Sequence, residues 1–166
     1  MEENPYASPA VPETEVPQIE TGPRELRVAT QGKRFLNLIL DGIVIQVLST
    51  ITGFVVGAVY GAFLAATQGG VTPEDEATFQ IVGFVLGLLV YTAYFIILEG
   101  LFQRSLAKLI TGTLVVTAEG GRPSFGQIVG RSFARLIPFE AFSFLGGKQP
   151  VGWHDSLSGT RVISIR

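Results

Sequence analysis

The sequence predicts an α-helical integral membrane protein, built as a transmembrane helical hairpin plus a cytoplasmic-side interfacial amphipathic helix and two short strands. Three observations carry that expectation. Charged residues make up only 16% of the 166-residue chain, against about 25% in a soluble domain. Two long apolar runs, separated by an acidic turn, account for the deficit. All 12 Lys and Arg lie at or before Arg34, or at or after Arg104, outside both runs.

Residues 1–24 hold five prolines and five glutamates. Such a stretch buries too little surface to offset ordering entropy, so it reads as a disordered acidic tail. It lacks the basic start and short apolar core of a secretory signal. The membrane domain is expected over residues 25–166, opening with a basic lead-in that includes Arg27, Lys33 and Arg34.

From Phe35 to Thr67 the only charge is Asp41. A span needs about 20 apolar residues for a hydrocarbon core of about 30 Å, and this run exceeds that. In the following QGGVTPEDEAT, the glycines and Pro73 break the helix, and Glu74, Asp75 and Glu76 place it in water. A second uncharged run extends from Ala77 to Leu98 and ends at Glu99. The spans are therefore expected at about 35–67 and 77–99. The positive-inside rule puts the loop outside and both chain ends in the cytoplasm. The expected location is the bacterial cytoplasmic (inner) membrane.

Beyond the hairpin, Thr113–Ala118 (TLVVTA) and Thr160–Ile165 (TRVISI) are β-branched and short, and read as two strands that pair. Phe125–Ile137 reads as an amphipathic helix. Ile128, Val129, Phe133, Leu136 and Ile137 share one face, while Gln127, Arg131 and Arg135 share the other. A basic face opposite an apolar one fits an interfacial or partly inserted segment at about 125–146.

Several residues are candidates for chemistry. Asp41 would sit roughly 9 Å into the first span, at 1.5 Å per residue. It is read either as a titrating ion or proton site or as a structural ion pair, with Arg131 or Arg135 as partner. The structural pair is the preferred reading. Gly53, Gly57 and Gly61, with Gly83 and Gly87, form rows of small residues that let helices approach closely in lipid. Packing of the two spans on each other is preferred to a homodimer seam. His154 beside Asp155 suggests acid–base chemistry. The blander reading is a loop histidine next to Trp153, an interface anchor. Gly146-Gly147-Lys148 is not a phosphate loop, because Phe142 stands where the first glycine belongs and Gln149 replaces Ser or Thr.

Taken together, these residues resemble the RDD family of small bacterial membrane proteins, named for one arginine and two aspartates. Arg34 and Asp41 in KRFLNLILDG match the arginine and first aspartate, and Asp155 in GWHDSLSGTRVI matches the second. Lys108 and Gly112 in AKLITGTLVV resemble the family's middle motif, with Ala107 where the family often has Gly. The segment GGRPSFGQIVGRSFARLIPFEAFSFLG resembles the stretch that follows, so the resemblance covers about residues 25–166. It implies transport, with cation/proton exchange as the narrower form, or alternatively a membrane scaffold that docks a partner. The implied partners are the bilayer and either a second copy or a membrane protein. Nucleic acid is not expected, since the net charge is −2. Nor is a cofactor or metal: the chain has no Cys and one His. An enzyme is not expected, for want of a nucleophile with its base.

Overall fold

The computed structural model describes residues 27–145 and 150–165. The tail at 1–24 and the Gly-Gly-Lys stretch lie outside the described residues. The first helix, α1 (Gln31–Gln68), opens at Thr30, whose hydroxyl accepts the Lys33 N–H. It closes on Gly69 in the left-handed conformation, φ 81°. That conformation favours glycine because it has no Cβ to clash. Its 38 residues run about 57 Å, nearly twice the hydrocarbon thickness. The second helix, α2 (Pro73–Phe102), starts with a capping box between Thr72 and Asp75.

Both helices outrun the boundaries expected from charge. Glu74, Asp75 and Glu76 lie inside the first turn of α2 rather than in the loop. Acids there satisfy free N–H groups and complement the helix dipole. At its other end α2 continues through Glu99, because three cations neutralise that carboxylate. The two helices are long and apolar enough to cross a membrane.

Short elements gather at the base of the hairpin. Helix α3 (Leu106–Thr111) leads through Gly112, also left-handed at φ 65°, into β1 (Thr113–Thr117). After a turn at Gly120 and Gly121 comes α4 (Phe125–Ala134), then a 3₁₀ turn at Glu140–Leu145. Helix α5 (Trp153–Ser158) and strand β2 (Thr160–Ser164) follow. The strands pair antiparallel, from Thr113 opposite Ser164 to Thr117 opposite Thr160. Residues 27–29 lie along the free edge of β2, with Ala29 N–H donating to the Val162 carbonyl at 2.9 Å. Ala29, Val115, Ile128 and Val162 form the small apolar core beneath this sheet.

One packing expectation needs correction. The glycine rows do not interlock. Only Gly57 has a close neighbour: a Cβ there would stand 2.7 Å from the Phe79 ring. Gly53, Gly61, Gly83 and Gly87 meet nothing within 4 Å. The Phe79 ring, stacked 6.3 Å from that of Tyr60, fills the space that a second glycine row would have closed.

Helix α4 turns Ile128, Arg131 and Ser132 inward, all buried, while Phe125 and Phe133, with Leu136 and Ile137 just past its end, are exposed. Two fully buried carboxylates on neighbouring elements draw the Arg131 guanidinium inward. The apolar side chains are left outside.

Candidate functional site

The base of the hairpin is organised around carboxylates that the main chain places in apolar surroundings. Glu99 ends the hydrophobic run of α2 and is fully buried. Arg131 Nε donates to Glu99 Oε2 at 3.1 Å, and Arg135 Nη2 donates to Oε1 at 2.7 Å. Lys108 Nζ lies 3.0 Å from the same Oε1. A buried carboxylate is tolerated only when its charge and lone pairs are matched, and three cations from α3 and α4 do so here.

Asp155 is the second anchor. Arg34 Nη1 and Arg131 Nη1 each donate to one of its oxygens, and Gly152 N–H donates at 3.1 Å. Burial alone would raise its pKa. Arg131, His154 and Arg34 overcome that and hold the carboxyl below the usual range. The Arg131 guanidinium thus bridges Asp155 and Glu99. Burial would weaken its charge, but the two carboxylates raise its pKa instead. A further Nη1 bond to Thr160 Oγ1 at 2.7 Å ties the bridge to β2.

Asp41 occupies a separate corner. Tyr94 Oη and Ser105 Oγ each donate to it at 2.6 Å, and Ala107 N–H donates at 3.2 Å. Lys108 Nζ stands 3.8 Å away. The expected partner was Arg131 or Arg135. Both are instead committed to Glu99, and Lys108 reaches Asp41 because α3 folds back against α1. Burial lowers the Lys108 pKa, an effect that Glu99 opposes. Position 107, where the family often has Gly, is helical here. It contributes its N–H, and an alanine supplies that equally well.

His154 and Asp155 do not form an acid–base pair on their own. The His154 Nδ1 contacts Glu140 Oε1, and its Nε2 lies 3.4 Å from Asp155. Burial, then Arg131, lowers the imidazole pKa to about 4. Trp153 is half exposed, and its N–H donates to Ser143 Oγ at 2.9 Å.

A cavity of about 110 Å³ opens between α1, α2, α4 and the 3₁₀ turn. Arg34, Asp41, Lys108, Arg131, Arg135, Glu140 and His154 all line it. Arg34, Asp155 and Arg131 therefore meet in one network, and Asp41 joins it through Lys108 and Glu99. Sequence reasoning missed Glu99, Glu140 and Tyr94 as members. Glu99 gave the same signal as Asp41, a lone acid bordering an apolar run, but was read as a terminator.

The family model described as the RDD family matches residues 28–159. The chain is also 31% identical over 140 residues to the uncharacterized protein YxaI of Bacillus subtilis (strain 168). That match covers 78% of this chain and 93% of the relative. No solved structure matches.

Proposed function

The chain belongs to the RDD family of membrane proteins, and on that premise we propose that it is a non-enzymatic transport component acting as a homo-oligomer. The observation that carries this reading is the cavity at the base of the hairpin, where Asp41 shares the wall with Lys108, Glu140, His154 and three arginines. Ionisable groups within membrane spans are expensive and mark ion or proton paths. Cation/proton exchange, with Asp41 as the coupling carboxylate, is the narrower form.

One hairpin does not enclose a path, and residues 42–73 carry no charge at all. The reading therefore requires several copies around a shared route. The basic residues on either side of the hairpin favour a cytoplasmic position for both chain ends, in the bacterial cytoplasmic membrane. The base of the hairpin, with its strands and α4, then lies on the cytoplasmic side.

The test is cation/proton flux in proteoliposomes, comparing wild type with Asp41→Asn at matched incorporation. Flux that disappears in the variant is expected. Equal flux in both overturns the role of Asp41, and no flux in either well-folded protein overturns the transport reading.

One observation favours a second reading, a membrane scaffold that docks a partner. Asp41, Glu99 and Asp155 are each held by several donors, which suits a fixed clamp rather than a site that cycles. In that case the exposed apolar face of α4 is the docking surface. A photocrosslinker placed at Phe133 in native membranes would then capture one recurrent protein partner. Capture of lipid or of a second copy alone counts against docking.

A further inference from the structure

The network of ion pairs leaves donors over. Arg34 spends Nη1 on Asp155, but its Nε and Nη2 are buried without a partner. Those two atoms form one edge of the guanidinium, the edge that grips an oxyanion through two parallel N–H bonds. Arg131 Nη2 and Arg135 Nη1 are likewise buried and unpartnered. The side chains of Arg34, Arg131 and Arg135 are 5%, 1% and 6% exposed, and all three residues line the same cavity. Buried N–H donors on charged groups are costly to leave unmatched, so several on residues around one cavity indicate an acceptor.

The carboxylates of the cluster do not fill that role. Asp41 is engaged by Tyr94, Ser105 and Ala107, and Glu140 by His154 and Ser143. Four cations (Arg34, Lys108, Arg131, Arg135) face four carboxylates (Asp41, Glu99, Glu140, Asp155), so the cluster is balanced. What selects the ligand is donor geometry rather than surplus charge.

Leu38, Ile45, Phe95 and Phe144 give the cavity an apolar stretch of wall, alongside Asn37 and Tyr91. We propose that this cavity binds an oxyanion carried on an apolar body, with the phosphate of an anionic membrane lipid seated on the free edge of Arg34. The proposal concerns binding alone and stands whether or not the protein moves a solute. A free phosphate shares the headgroup chemistry but makes no use of the apolar wall.

The experiment uses the full chain, purified in zwitterionic detergent. It is titrated with short-chain phosphatidylglycerol, with diacylglycerol of the same chains, which lacks the phosphate, and with inorganic phosphate. Binding is read by native mass spectrometry and by the shift in Tm. Phosphatidylglycerol is expected to bind and raise Tm, diacylglycerol to do neither, and phosphate to bind far more weakly.

Arg34→Lys keeps the charge but loses the two-pronged edge, so affinity for phosphatidylglycerol should fall by at least about tenfold. Gly42 lines the cavity, and a Cβ added there meets nothing within 4 Å. Gly42→Leu therefore adds bulk at the cavity wall while removing no member of an ion pair. It should abolish binding while leaving the lipid-free Tm in place, which keeps the test decisive if Arg34→Lys fails to fold. Equal binding of the two lipids, or undiminished binding in Gly42→Leu, overturns the proposal. Phosphate binding as tightly as phosphatidylglycerol overturns the lipid assignment.

Discussion

The two ends of the hairpin follow different rules. Near the turn, α1 and α2 expose large apolar side chains, among them Phe54 at 77% and Phe84 at 68%. At the base the same two helices bury Arg34, Asp41 and Glu99 among α3, α4 and α5. Lipid tails are as apolar as leucine, so the upper part gains little from burying its side chains and depends on the membrane. The base holds together by matching charges, and each of its carboxylates touches elements far apart in sequence. Order is therefore imposed from outside at one end and from within at the other.

The sharpest way to break that comparison is to remove one carboxylate. Glu99→Gln keeps the shape but leaves Lys108, Arg131 and Arg135 facing a neutral group. Removing one partner from a buried ion cluster costs roughly 3–5 kcal/mol. The variant should show a large drop in Tm and lose monodispersity in detergent. Phe54→Leu, which removes more side-chain area than Glu99→Gln, should stay within about 0.5 kcal/mol of wild type. Equal losses in the two variants would mean that the base is not the stabilising region.

This division also explains what could be read in the sequence. The spans follow from uninterrupted apolar runs, and the strands from short β-branched segments next to turns. Asp41 and Arg34 stand out because a charge beside or within an apolar run is rare, whereas Asp155 stands out only beside His154 and through the family resemblance. The pairing among them is not legible, because it depends on how α3 and α4 fold back. Asp41 meets Lys108 across 67 positions of chain only because Ser105 caps α3 and also donates to Asp41. For α4, amphipathicity marks the basic face but not which carboxylates it meets. Here the interior holds Glu99 and Asp155, so the arginines face it.

A second, smaller effect separates the ends by pH. His154 titrates at about 4 in the folded chain and near 6.5 when unfolded. Between those values the unfolded state binds the extra proton, so stability falls as pH is lowered from about 6.5 toward 4. Above 6.5 this residue contributes no slope. The total loss is on the order of 3 kcal/mol, at about 1.4 kcal/mol per pH unit. The carboxyls of Asp155 and Glu140, both held low, add losses of the same sign only below their ordinary range near 4. Thermal unfolding across pH 7.5 to about 4.5 should show the slope in wild type and lose it in His154→Gln. A slope that persists in the variant would move the pH sensitivity elsewhere in the cluster.

The smallest effect lies within the hairpin itself and asks whether its upper part has any specific packing. Gly57 backs onto the Phe79 ring, where a new Cβ would stand at 2.7 Å, while Gly61 one turn on meets nothing within 4 Å. Gly57→Leu must displace that ring and its stacked neighbour Tyr60, an overpacking cost of roughly 1–3 kcal/mol. Gly61→Leu should be nearly neutral, within about 0.5 kcal/mol, because lipid replaces lipid around the new side chain. Measured side by side in the same bilayer, a lower Tm for Gly57→Leu alone locates the helix contact at Phe79. If Gly61→Leu is as damaging, its open side is occupied in the membrane by another helix, and the homo-oligomer that transport requires acquires a definite seam.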